Sequence, residues 1–285
     1  LLITKDTRII YRNDVGAEIE FSPFSVYLLE EFEEGVENNI VTNKTNLMHG
    51  ENYVSNTLDS RYMVLSGIIE KNSSTITLTN NLIRVLNPTL KGKLIYVDSI
   101  GNKEIECMLE GIPSVVSNGG LIRFEINLKA NHPFWQNKEK TEYIALITPQ
   151  LKFPLIIPKN KGMTFGLKKS ALETEVENIG DVESGFRVVF KAKGTVTNPK
   201  IFNKLTGDYI KINYTMEKGD SIEVVNYPEL KKITVNSLTN GFKYLDINSD
   251  FFSLSVGKNI VGYLADVNTV NLDVIVYYTP RYLGV

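Results

Sequence analysis

The sequence predicts an all-β protein of two domains with one short helix. Three observations carry that prediction. Residues 121–129 alternate strictly, with Ile122, Phe124, Ile126 and Leu128 set against Arg123, Glu125, Asn127 and Lys129, which describes a strand with one buried and one wet face. Pro133, within Asn131-His132-Pro133-Phe134-Trp135, has no N–H for a ladder and must end that strand. Beyond it, runs of strand character recur about every ten residues with Gly, Asn, Asp or Pro between them, the pattern of an antiparallel sandwich or jelly roll. The chain therefore divides into a first domain at residues 1–137, a linker at 138–150 and a second domain at 151–285. Pro133, Phe134 and Trp135, the chain's only tryptophan, are expected to serve inter-domain packing, because two large rings at an element end bury much apolar surface.

The elements follow in order. Residues 7–11 and 17–21 form a hairpin about a turn at 13–16, with Ala17, Ile19 and Phe21 inward and Glu18 and Glu20 outward. After Pro23, residues 24–29 read as a strand. Glu30-Glu31-Phe32-Glu33-Glu34 then opens a polar, weakly patterned stretch to about residue 61, which predicts a functional loop or an arm. Residues 62–69 return to strand character. Thr79 is placed to cap a helix over residues 80–86, with Leu82, Val85 and Leu86 on one face and Pro88 forbidding continuation. Strands at 94–97, 104–110 and 121–129 complete the first domain. The linker carries a possible strand at 143–147. In the second domain, strands are expected at 151–157, 172–177, 186–191, 200–203, 209–214, 221–225, 232–236, 242–245, 251–256 and 271–278. The last has Leu272, Val274, Val276 and Tyr278 on one face and Asp273, Ile275 and Tyr277 on the other.

Composition narrows the function. The 285 residues are 42% hydrophobic, enough for two cores, and 33 acidic against 31 basic residues leave a net charge of −2. No basic block of the kind that neutralises phosphates stands out, so specific nucleic-acid binding is not expected. No run approaches the length of a membrane span, and the first six residues are too short and charged for a signal peptide. Cys107, the only cysteine, sits in an alternating segment and reads as a small buried hydrophobe. Asn-x-Ser/Thr triplets at Asn43, Asn72 and Asn213 carry no weight without a secretory signal.

Catalytic and metal-binding patterns are not found. The two histidines, His49 and His132, have no ligand-spaced Cys or carboxylate cluster. Residues 162–170 fail as a phosphate loop, because three residues separate the glycines and Leu167 intrudes before Lys168. Glu30, Glu31, Glu33 and Glu34 are carboxylates among carboxylates, expected to be ionised on a solvated face or lining a passage. No enzyme activity, metal or cofactor is expected. A sugar-binding module is the alternative, with Tyr209, Tyr214, Tyr227, Tyr244 and Tyr263 in place of a stacking tryptophan.

Gly50 and Tyr53, Leu58-Asp59-Ser60-Arg61 leading into Val64-Leu65-Ser66-Gly67-Ile68, the closing His132-Pro133-Phe134-Trp135, then Asn178-Ile179-Gly180-Asp181, Thr197-Asn198-Pro199, Thr206-Gly207-Asp208, Lys218-Gly219-Asp220 and Tyr282-Leu283-Gly284-Val285 together resemble the distal tail proteins of bacteriophages with long, non-contractile tails. The likeness spans nearly the whole chain. It implies a tail-tube-like N-terminal belt domain closing into a homo-hexameric ring around the tail lumen, and a galectin-like C-terminal sandwich outside it. The implied partners are the tail tube protein, the tail-associated hub or lysin protein, the tape measure protein and receptor-binding proteins. DNA passes through the lumen without being specifically bound, and the protein works in the virion after synthesis in the host cytoplasm. On this resemblance Glu30, Glu31, Glu33 and Glu34 become candidates for ring or lumen contacts.

Overall fold

The computed structural model describes residues 3–45, 49–71, 74–99, 101–118, 120–149, 166–169 and 173–285. It falls into two compact units, Leu1–Asn137 with Tyr282–Val285, and Lys138–Arg281. In the first unit β1 (Arg8–Asn13), β2 (Glu18–Phe21), β3 (Tyr27–Asn43), β4 (Asn52–Ile69), α1 (Thr75–Val85), β5 (Gly92–Val97), β6 (Asn102–Leu109), β7 (Ser114–Asn118), β8 (Leu121–Ala130) and β9 (Trp135–Gln136) follow one another. The sheet runs β2-β1-β5-β6-β8-β4-β3, with β7 beside the start of β8. Its pairings are antiparallel. The opening hairpin turns where expected: Asn13 Oδ1 accepts the Ala17 N–H at 2.8 Å, and Gly16 takes a left-handed φ of +87° that favours glycine.

Alternation on β8 is as the sequence predicts, with Phe124, Ile126 and Leu128 buried and Arg123, Glu125 and Asn127 exposed. Register carries that inner face across the sheet, from Ile126 to Leu65 to Phe32. Phe32, Tyr96 and Trp135 meet edge to face or stacked at 6.4–6.5 Å between ring centres, and Ile9, Tyr11, Phe21 and Met63 complete the centre of the core.

Two expectations for this unit are corrected. Of the polar stretch from residue 30 to 61, residues 30–43 and 52–61 lie in the paired strands β3 and β4, which form a ribbon running past the end of β8, an arm rather than a loop. Its outer half is wet on both faces, so no alternation marked it. The helix begins at Thr75 rather than 80, and Thr79 does not cap it but donates its hydroxyl to the Thr75 carbonyl at 3.1 Å. Tertiary contacts hold both ends of this Thr- and Asn-rich helix: the Tyr27 hydroxyl donates to the Leu78 carbonyl at 2.9 Å, and Asn13 Nδ2 to the Val85 carbonyl at 3.1 Å. Leu82, Val85 and Leu86 are buried together as predicted.

The second unit contains β10 (Lys140–Pro149), β11 (Gly166–Lys169), β12 (Glu173–Asn178), β13 (Phe186–Ala192), β14 (Val196–Asn203), β15 (Tyr209–Lys211), β16 (Thr215–Met216), β17 (Ser221–Tyr227), β18 (Leu230–Val235), β19 (Thr239–Asn240), β20 (Gly257–Val267) and β21 (Leu272–Tyr278). Two sheets, β11-β10-β21-β13-β17-β18-β19 and β12-β20-β14-β15 with β16 on β14, contribute to one core. Val188, Phe190, Val274 and Val276 come from the first, and Val176, Ile201, Ile210 and Tyr263 from the second.

Here too the structure departs from the sequence reading. Most of the expected linker is β10, paired with β21. Residues 242–245 hold a 3-10 turn, Phe242–Tyr244, in place of a strand. The long strand β20 was not foreseen; its segment carries Gly257, Asn259 and Gly262, residue types of low strand propensity. Gly262 admits the Phe202 ring, whose tip lies 2.2 Å from where a Cβ would stand. On β21 both faces are covered, the second by Asp273 pairing with Lys193 at 2.6 Å, by buried Ile275 and by the Arg187 guanidinium 3.9 Å from the Tyr277 ring centre. The expected strand at 151–157 lies outside the described residues.

Candidate functional site

The predicted site residues of the first unit separate into two groups according to which face of β3 they occupy. Phe32 and Glu34 point inward, Glu31 and Glu33 outward, and the bulge between Leu29 and Glu31 sets this alternation. On the outer face, register aligns Glu31 with Ser66 and Glu125, Glu33 with Val64 and Asn127, and Gly35 with Tyr62 and Lys129. Glu31, Glu33 and Glu125 thus share a solvent-facing surface of β3, β4 and β8, and Glu30 on its border pairs with Arg123.

Glu34 corrects the expectation of a solvated run. Its side chain is only 12% exposed and meets Arg61 at 2.9 Å, while Oε2 also accepts the Trp135 indole N–H at 2.7 Å. Arg61, 2% exposed, donates Nε to the Pro133 carbonyl at 2.7 Å and Nη2 to the Leu283 carbonyl. The Val285 N–H reaches Glu34 Oε1 at 3.4 Å, and Lys103 Nζ donates to the Gly284 carbonyl at 2.8 Å while lying over the Tyr282 ring. A buried guanidinium is tolerated only when its donors are matched in this way. Sequence reasoning missed this joint because its members are distant in the chain; the one local signal was Glu34 sharing the parity of Phe32. Trp135 is fully buried within the first unit, Pro133 is buried and Phe134 half-buried.

A cleft of about 540 Å³ opens beside the end of β8, with Lys91, Gly92, Lys93, Met108, Lys129 and His132 among its lining residues. Lys93 pairs with Glu104, and Lys129 lies 5.0 Å from the Tyr62 ring centre. His132 is exposed at this rim, and His49 is exposed in the segment before β4. Cys107 is buried, which pushes its thiol up to about 12 and keeps it protonated, the opposite of what a nucleophile needs. Among the described residues no group of three His, Cys, Asp or Glu side chains can hold a metal, and no helix is long and apolar enough to cross a membrane. In the second unit Tyr263 is buried, and Tyr209, Tyr214, Tyr227 and Tyr244 are each partly covered. Tyr209 lies under Lys200, and Tyr214 packs on Tyr244.

Two family models match the chain: the phage tail protein RIFT-related domain over residues 19–130, and the siphovirus-type tail component, C-terminal domain, over residues 179–282. The fold is shared with the crystal structure of the SPP1 Dit protein, at a TM-score of 0.69 and 13% identity over 96% of this chain and 99% of that one. A chain of the phage P2 baseplate in its activated conformation is similar at a TM-score of 0.48 and 11% identity, over 98% of this chain and 99% of that one. No curated protein sequence matches. Fold and matched domains define a structural component of a phage tail. The chain belongs to the siphophage distal tail protein family and is a structural protein of the phage tail.

Proposed function

We propose that six copies close into a ring through their first units, joining the tail tube protein to the hub or lysin protein below, with the tape measure protein and DNA using the lumen. The second unit is a galectin-like sandwich outside the ring and carries receptor-binding proteins. The protein catalyses nothing and binds no cofactor; it is made in the host cytoplasm and works at the virion's tail tip.

The observation that best supports this reading is the sheet of the first unit. Its order places β2 at one edge and β3 at the other, two unlike edges of the kind that heterologous, ring-closing contacts employ. The outward row of Glu31, Glu33 and Glu125 suits a lumen wall that repels phosphates rather than binding them. Gold-labelled antibody against the chain, viewed on intact particles by electron microscopy, tests the placement. Label confined to the far end of the tail is the expected result. Label along the whole tail or on the capsid contradicts it.

A further inference from the structure

Among the described residues the outer half of the ribbon pairs with no third strand. β4 pairs with β8 only from Arg61 to Ile69, whereas β3 and β4 continue together out to Asn43 and Asn52. That leaves a two-stranded extension of about 25 Å at the usual rise per residue. Ile40, Val41, Tyr53 and Val54 on it are each more than half exposed. Isolated hairpins are marginal in water, so this one gains from being covered. It is also acidic on balance: Glu37 and Asp59 are exposed on it and Glu51 just ahead of β4, against Lys44 just beyond β3, and neither Glu37 nor Glu51 holds a cation among the described residues.

The cleft beside β8 has the complementary character. Arg12, Lys91, Lys93 and Lys129 line it against Asp14 and Glu106, a basic balance, with Lys91 and Lys129 outside salt-bridge range of any carboxylate among the described residues, and Met108, 41% exposed, supplies apolar surface. Ribbon and cleft are different surfaces of one unit, so a contact between them repeats head to tail and can close on itself. We propose that the outer half of the ribbon of one copy seats in the Lys91–Lys129 cleft of the next, the occupant being a second copy of this chain. The inference rests on the ring reading above and names the surfaces that make the ring.

Two charge-reversed full-length chains test it, one with Glu37→Lys and Glu51→Lys, the other with Lys91→Glu and Lys129→Glu. Assembly is followed by light scattering during size exclusion, and folding by thermal melting. Each double variant is expected to fold yet to need at least about tenfold more protein to assemble, since like charges then face each other. An equal mixture should recover assembly, because lysine ribbons then meet glutamate clefts and the reverse pairing is again acid on base. Double variants that assemble like the unaltered chain, or a mixture that fails to recover, overturn this contact while leaving the ring intact. An unaltered chain that stays monomeric at every concentration contradicts the ring reading itself and this contact with it. If a reversed pair does not fold, the corresponding alanine pair is measured by the same criteria.

Discussion

Tyr11 has a fully buried side chain whose hydroxyl finds no hydrogen-bond partner among the described residues, and burial drives its pKa upward. The phenol tip occupies space that only Gly92 leaves open, since a Cβ there would stand 2.3 Å from the hydroxyl. An unpaired buried hydroxyl carries a desolvation cost that its removal relieves. Tyr11→Phe is therefore expected to stabilise the protein by about 1 kcal/mol in urea unfolding; a loss of stability would reveal a partner for the hydroxyl. At this scale the sequence was informative where pattern and chemistry agree. Cys107 and Trp135 are buried because they sit at apolar parities or strand ends. Glu34 was not legible as a buried group, because its partners Arg61 and Trp135 lie far along the chain and only the folded sheet brings them together.

Between elements, the Glu34–Arg61 pair ties β3 to β4, and through Pro133 and Trp135 to the segment that follows β8. Removing one member of such a pair strands the other, which costs about 3–5 kcal/mol. Arg61→Leu should lose stability on that scale. Glu34→Gln should lose distinctly less, because the amide oxygen can still accept from Arg61 and from the indole. Equal losses in chemical denaturation would mean that charge, not hydrogen bonding, holds the joint. Sheet strands with one wet face were readable as elements: β1, β2 and β8 show the alternation directly. The ribbon was not, since both faces of its outer half are exposed and carry no apolar alternation, and β20 was hidden in part by Gly262, which serves close packing against Phe202 rather than turning.

For the whole molecule, the all-β character was legible because strand ends such as Pro133 and the regular spacing of turns are local signals. The strand order was not, because register between distant strands leaves no mark on either one. The outward acidic row yields a functional prediction. Replacing Glu31, Glu33 and Glu125 by lysine should slow DNA delivery, measured as potassium efflux or genome entry after adsorption, without altering particle yield; unchanged delivery removes these residues from the lumen wall. The most direct measurement is the mass of the full-length chain by native mass spectrometry at micromolar concentration. A single closed species of six copies of the 32.1 kDa chain is the expected result, and a monomer, or an open series of masses without a sixfold limit, would contradict a ring.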